Sequence, residues 1–317
     1  MDRQRLIEET REILAKTGFY ISDYNDSRMI CFDLVARRDN LLIILKLLKN
    51  VDSFSKRNAH ELSILSDRLK GSPLIIGDRT SLKKIESGIV YFRHGIPMIN
   101  FNTFYDYLIE GFPPLIYSAP GGFYVNIDGE VLHAARRERE ISLGALATKA
   151  GVSRKAVQMY EDGMNPILEI AMKLEDFLEQ PLIKPINPFT LEVKLKAGTK
   201  DLGGLKGKDN IDKEIAAQLT SLGYSVVPIT HCPFEALTED KRVLIITGIS
   251  NKDRKTLEKA RIMTNLSKVT ERLSVIFIEN ELRKDNLEGT PVINKQELQK
   301  IDDSEEIITL INERSSS

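Results

Sequence analysis

The sequence predicts two α/β units flanking a central all-α module, and three observations predict it. Two stretches about two hundred residues apart repeat one order of amphipathic helix, glycine stop and short apolar strand. Between them lies a run of short helices, each with its own capping residue and apolar spacing. A length of 317 residues also exceeds what one hydrophobic core fills, so two or three domains are expected.

Composition narrows the function classes. An apolar fraction of 42% is ample for packed cores. A net charge of −1 means that the whole chain is no polyanion binder, so any nucleic-acid site must concentrate its basic residues locally. Cys31 and Cys232, with four scattered histidines, offer no CxxC or HxxxH spacing; they read as two partly buried thiols in a reducing compartment, with no metal and no cofactor expected. The start, MDRQRLIEETREIL, alternates charged and apolar residues and lacks a signal-peptide core. No apolar run approaches the ~18 residues of a membrane helix, so a cytoplasmic chain without a membrane partner is expected.

The first unit, 1–111, opens on a helix that ends in Leu14-Ala-Lys-Thr-Gly-Phe-Tyr-Ile21. A polar turn within Val35–Leu45 then leads into a β-branched and leucine run, a buried strand. Ala59–Ser66 lies on a helix, Leu74-Ile-Ile76 forms another strand, and Gly95-Ile-Pro-Met-Ile-Asn100 closes the unit before a last helix. The second unit, 211–317, matches it in order: Leu219–Val226, Leu237–Thr247, Ala260–Ser267, Val275-Ile-Phe277 and Gly289-Thr-Pro-Val-Ile-Asn294. The collinear matches, one carrying the same G-x-P-x-Ile-Asn, indicate an internal duplication, each copy a small mixed sheet with covered faces.

In the middle, Pro-Gly-Gly at 120–122 separates two β-rich runs, a hairpin signal, so 112–129 reads as a β-hairpin connector. Residues 130–180 are helical. A first helix from Glu130 carries Leu132, Ala135, Arg136 and Arg139 on one side. Ser142 caps Leu143–Ala150, Gly151 turns the chain, Val152 plugs the angle, and Ser153 caps a helix from Arg154 to Asp162. Ala156, Val157 and Tyr160 face inward there, and Ile170, Ala171, Leu174 and Phe177 do so on a helix over Ile167–Leu178. Proline- and glycine-rich 181–210 reads as a linker; its Gly198–Gly207 run superficially resembles a phosphate loop, but lacks the flanking strand and helix cap.

Two helices joined by so tight a turn are what major-groove reading needs, and Ala147 is the small residue that lets them cross closely. Between Arg136 and Lys155 stand Arg136, Arg137, Arg139, Lys149, Arg154 and Lys155 against only Glu138 and Glu140, a local positive field suited to phosphates.

The run Ser142-Leu-Gly-Ala-Leu-Ala-Thr-Lys-Ala-Gly-Val-Ser-Arg-Lys-Ala-Val-Gln-Met-Tyr-Glu-Asp-Gly163 closely resembles the lambda-repressor/Cro-like (XRE) helix-turn-helix, which shows S-x-x-x-L-A-x-x-x-G-V-S and then Tyr/Ile-Glu-x-Gly. The whole layout is similar to an archaeal family of helix-turn-helix transcriptional regulators, which share the Pro-Gly-Gly hairpin, the run here at Tyr160–Met164 and the Ala-x-Lys-Leu-Glu run here at Ala171–Glu175. The resemblance implies base-edge readers at Arg154, Lys155 and Met159, with Gln158 a neighbour. Arg154 and Lys155 suit guanine, and Met159 a thymine methyl. Ser153 and Lys149 are phosphate candidates, with Arg136 and Arg137 on the preceding helix. Many relatives carry Gln just after the first capping serine, where this chain has Leu143.

The first copy also resembles the PD-(D/E)xK nucleases, whose Asp and Glu-x-Lys hold a divalent metal and steady the attacking water. Asp33 and Lys46 stand in place, but the glutamate position is Ile44; in the second copy Glu235 replaces Asp33 and the later pair is Ile246 and Gly248. A nuclease-like fold emptied of catalysis is one reading of the flanking units, and no catalytic residue is assigned. The sequence points to a double-stranded-DNA-binding regulator acting as a homodimer, because one module reads only a half-site. The alternative is a metal-dependent nuclease targeted by the module. The flanking copies are expected to be a scaffold, a dimer interface or an effector-sensing body; nothing in the sequence specifies a small-molecule effector.

Overall fold

The computed structural model describes residues 2–23, 31–191, 212–250, 254–279 and 284–315. The glycine run 198–207 and the linker expected from 192 onward lie outside the described residues.

The first copy runs α1 (Arg3–Lys16), β1 (Tyr20–Ile21), β2 (Leu34–Arg38), β3 (Leu41–Asn50), α2 (Lys56–Leu69), β4 (Ser72–Arg79), β5 (Ile89–Arg93), β6 (Ile96–Ile99) and α3 (Phe101–Tyr105), which passes into a π-helical turn at Asp106–Glu110. The middle contains β7 (Ile116–Ala119), β8 (Gly122–Ile127), α4 (Gly129–Glu138), α5 (Leu143–Ala150), α6 (Arg154–Glu161), α7 (Leu168–Leu178) and β9 (Ile183–Lys184). The second copy runs α8 (Lys213–Ser221), β10 (Ser225–Pro228), β11 (Ala236–Glu239), β12 (Leu244–Ser250), α9 (Arg254–Thr270), β13 (Leu273–Ile278), β14 (Asn286–Leu287), β15 (Thr290–Asn294), α10 (Lys295–Leu298) and α11 (Ser304–Ser315). Strands such as β3 and β12 are buried almost throughout, as continuous apolar runs require when both sheet faces are covered.

The two copies repeat at the level of single bonds. In each, the first three strands pair antiparallel in sequence order, the fourth pairs parallel with the sixth, and the fifth pairs antiparallel with the sixth. The first helix ends in one way twice: Phe19 N–H donates to Leu14 O and Tyr224 N–H to Leu219 O. The late hairpins turn on His94-Gly95 and Glu288-Gly289, and all four residues have positive φ (51°, 87°, 49° and 91°). That is the two-residue turn matched to the twist of its strands, and the glycine meets it without a Cβ penalty. The asparagine that closes each G-x-P-x-Ile-Asn run is a helix cap. Asn100 Oδ1 accepts from Thr103 N–H and Asn294 Oδ1 from Glu297 N–H, both at 2.8 Å.

The chain folds into two compact units, neither a single run of sequence. One gathers the described residues of Met1–Leu6, Leu48–Ser53 and Leu74–Glu192. Its strands lie in the order β4-β6-β5-β7-β8-β9, with β7 parallel to β5 in the register Ile89↔Ile116 and Val90↔Tyr117. The reading of 112–129 as a connector is thereby corrected: the hairpin extends the first copy's sheet, and Val125 and Ile127 of β8 enter the core of the helical module. The first part of the expected linker is corrected as well. Leu182, Ile186 and Phe189 are buried, β9 pairs with β8, and the Phe189 ring packs on Phe104 and Tyr107.

The other unit gathers the described residues of Ile7–Leu47, Phe54–Pro73 and Val193–Ser317. Within it the copies touch reciprocally. Arg37 on β2 pairs with Glu271 just past α9 at 2.7 Å, while Glu239 on β11 pairs with Arg68 in the last turn of α2. Each copy thus offers its second strand to the end of the other's central helix, the pattern of an isologous interface. Among the described residues no helix is long and apolar enough to cross a membrane.

The caps give a graded test. Asn294→Ala should lower stability by about 1 kcal/mol. Asn100→Ala should cost about 2–3 kcal/mol, because the buried Asn100 also donates to Ile85 O and Ser87 Oγ and those acceptors lose their partner. Urea denaturation of the two variants measures the difference.

Candidate nucleic-acid interface

The helical module is built on caps and one apolar cluster. Asp128 Oδ1 accepts from Val131 N–H, Ser142 Oγ from Ala145 N–H and Ser153 Oγ from Ala156 N–H, each at 3.1 Å. These satisfy donors that the first turns of α4, α5 and α6 leave unpaired. Gly151 takes φ 74°, where only glycine is unstrained, and Val152 folds back so that its N–H reaches Ala147 O at 2.9 Å. Leu132, Leu146, Ala147, Val157, Ala171 and Leu174 close the core between the helices. Phe177, expected inward, is half-buried, and Leu178 takes the fully buried place one residue on.

One polar contact crosses this core. Arg136 is only 6% exposed, and its Nε and Nη2 donate to the two carboxylate oxygens of Glu161 at 2.5 and 3.0 Å. Its Nη1 donates to Ile141 O at 3.0 Å, and His133 Nδ1 lies 2.9 Å from Glu161 Oε2. Burial works to raise the Glu161 carboxyl, but the hydrogen bonds from Arg136 and His133 outweigh it and hold the group below its usual range. The expectation that Arg136 contacts phosphate is therefore corrected: its guanidinium is enclosed, and it joins α4 to the last turn of α6. Sequence periodicity did hold the signal, since Arg136 shares the face of Leu132 and Ala135.

The remaining sequence-selected residues stand at the surface. Arg154, Lys155, Gln158 and Met159 are exposed on α6, Ser153 is exposed at its N-terminus, and Lys149 and Arg137 are exposed on the neighbouring helices. Arg154 folds across the start of α5. A Cβ at Gly144 would approach its Nε to 2.7 Å, so the glycine makes room for the guanidinium. The Lys149 ammonium sits 5.5 Å from the centre of the Phe177 ring, which steadies it while leaving it exposed. The run after α6 is scaffold. Gly163 has φ 97°, Met164 N–H returns to Met159 O, and Glu175 Oε1 accepts from Leu182 and Ile183 N–H at 2.6 and 2.9 Å, tying α7 to β9.

In the first copy, Asp33 and Lys46 are both buried and lie 3.1 Å apart, and Asp33 Oδ2 accepts from Leu47 N–H at 2.6 Å. The second copy repeats the arrangement. Glu235 Oε2 accepts from Ile249 N–H at 2.6 Å and Oε1 pairs with Lys259 on α9, also at 2.6 Å. The carboxylate stands at the corresponding place beside the strand, but its lysine comes from a helix and not from the strand. Ile44 is fully buried in the apolar core. Among the described residues, no group of three or more His, Cys, Asp or Glu side chains could hold a metal ion.

Comparison with known proteins gives two family matches. Residues 3–114 match the PD-(D/E)XK superfamily domain, and residues 132–183 match the helix-turn-helix family. Three archaeal relatives, all provisionally named HTH-type transcriptional regulatory proteins, align along the full chain. The protein of Halorubrum lacusprofundi is 38% identical, covering 100% of this chain and 99% of its own. That of Methanocella arvoryzae is 36% identical, covering 99% and 97%. That of Haloquadratum walsbyi is 39% identical, covering 99% and 98%. The chain belongs to this family of archaeal HTH-type regulatory proteins. No solved structure matches it. Its family place accounts for the central module, and the nuclease-like match covers the copy that holds the Asp33–Lys46 pair.

Removing Arg136 tests the reassignment. Arg136→Ala leaves a buried carboxylate unpaired and should destabilise the module by about 3–5 kcal/mol, whereas Arg136→Met combined with Glu161→Leu should restore most of that. Chemical denaturation followed by helical circular dichroism reads both. Because the folded pKa of Glu161 lies below its ordinary 4.5, its contribution is complete above that pH and is lost as pH falls through the lowered value. The melting temperature should therefore drop more steeply on acidification in the parent protein than in Glu161→Gln.

Proposed function

We propose that the protein is a sequence-specific double-stranded-DNA-binding transcriptional regulator that lays α6 in the major groove. The observation that carries this reading is the capped α5–α6 turn, with Arg154, Lys155, Gln158 and Met159 exposed along one helix. Arg154 leaves Gly144 to reach a guanine edge beside Lys155, Met159 contacts a thymine methyl, and Gln158 contacts an adenine edge or a phosphate. Ser153, Lys149 and Arg137 hold phosphates, helped by the positive N-terminal end of α6. Two chains act together, since one module covers only a half-site and operators for such modules place half-sites ~34–36 Å apart.

The protein acts by binding, not by cutting. The carboxylate a nuclease would present to a metal is buried, paired with Lys46 and bonded to the Leu47 amide, and Ile44 stands where its acidic partner would be. The rival reading, a metal-dependent nuclease, rests on the superfamily match over residues 3–114.

Selection of bound sequences from a random duplex pool, followed by binding curves at several salt concentrations, tests the reading. Arg154→Ala should relax the preference at one position by ~1–3 kcal/mol. Lys149→Ala should weaken all sequences alike and reduce the salt slope by about one phosphate. Unchanged base preference in Arg154→Ala means that another element reads the bases. Incubation of duplex and branched DNA with Mg²⁺ or Mn²⁺ should give no cutting; cutting that disappears in Asp33→Ala would establish the nuclease instead.

A further inference from the structure

The two cysteines, 201 positions apart, meet in the fold. Cys31, fully buried ahead of β2, and Cys232, partly buried ahead of β11, stand Sγ to Sγ at 3.2 Å. The segment carrying Cys232 is tethered to the first copy on several sides. Cys31 N–H donates to His231 O at 2.8 Å, and His231 N–H donates to Glu61 Oε2 at 2.7 Å. His231 Nδ1 lies 2.8 Å from Glu61 Oε1, the Thr230 hydroxyl donates to the same oxygen, and Arg57 Nη2 donates to Thr230 Oγ1 at 3.0 Å. The sulfurs are therefore held together by contacts that do not involve them, which gives each thiol a high effective concentration toward the other.

We propose that Cys31 and Cys232 form a modification site: a preorganised dithiol that oxidises reversibly to an intrachain disulfide, with a small disulfide of the glutathione class as oxidant. Cys232, the more exposed, attacks first. Its thiolate breaks the S–S bond of the small disulfide, forms a mixed disulfide and releases one small thiolate. Cys31 then attacks the Cys232 sulfur and releases the second. One S–S bond is broken and one formed; the two protein thiol protons end on the two small thiols, and two electrons pass from the dithiol to the oxidant. The new bond would join the two copies beside their Glu61–His231 contact.

The surroundings set the pace. Burial, the Cys31 thiol and the Glu61 carboxylate push the Cys232 thiol up, against an opposite pull from Lys46. Thiolate is then scarce near neutrality, and oxidation should quicken about tenfold for each unit of rising pH.

The test equilibrates the full chain with mixtures of reduced and oxidised glutathione, quenches in acid, caps free thiols with a maleimide and maps the peptides by mass. The expected product is one cross-linked pair joining Cys31 to Cys232 within a chain, migrating as a single chain on a non-reducing denaturing gel and disappearing on reduction. Cys31→Ser should stop at a mixed disulfide on Cys232, and Cys232→Ser should give no cross-link. The proposal is overturned if the parent protein carries glutathione on Cys232 without the cross-link, keeps both thiols under excess oxidant, or cross-links only between chains. The parent map decides alone, so poor folding of the buried Cys31→Ser variant does not blur the result. A rate that does not change with pH would remove Cys232 as the attacking thiolate.

Discussion

The Arg136–Glu161 ion pair is the constraint on which the helical module depends. It runs from the inner face of α4 to the last residue of α6, so the surface helix with the exposed basic residues is anchored from its far end. Close approach at that end is enforced from the other side by Gly129, where a Cβ would fall 2.4 Å from Glu161 O. The guanidinium has both carboxylate oxygens and the Ile141 carbonyl as partners, which is what makes burial of the charge tolerable. The opposite end of α6 is fixed by the Ser153 cap and the Gly151 turn. A helix of eight residues is marginal by itself, so its direction comes from these two ends and not from its own propensity.

Much of this was legible in the sequence because local chemistry agreed with the final fold. Ser142, Gly151 and Ser153 do what their residue types do at helix ends, and the shared G-x-P-x-Ile-Asn run becomes the same turn and the same cap in both copies. What stayed hidden depends on partners far away in the chain. Nothing in Arg136 itself says that it meets Glu161 rather than a phosphate, although its place beside Leu132 and Ala135 on the buried face was a warning. The prolines after the module were equally ambiguous. They break helices, yet Leu182, Ile186 and Phe189 among them are core residues that close the unit. The β5–β7 pairing has only two residues of register and no sequence signature, so the hairpin could not be told from a tether.

In the nuclease-like copy the acidic residue has a structural role that can be read directly. Asp33 sits where a metal-binding carboxylate would sit, but it holds the Leu47 amide and the Lys46 ammonium, and Glu235 does the same for Ile249 and Lys259. A buried carboxylate with an amide and an ammonium as partners is a stable structural element in its own right. In both copies a carboxylate ahead of the second strand is paired with an amide and a lysine, although the lysine comes from a strand in the first copy and from a helix in the second.

The reciprocal contacts between the copies carry a consequence for assembly. Arg37 meets Glu271, whereas at the corresponding places Glu239 meets Arg68, so the charges are exchanged. Two first copies brought together in this manner would set Arg37 against the Arg68 and Lys70 end of the other's helix, and two second copies would oppose Glu239 to Glu271. Exposed pairs of this kind add little attraction, but mismatched like charges discriminate between partners. The duplicated halves thus carry complementary charges at these two places, so a first copy fits a second copy better than it fits another first copy.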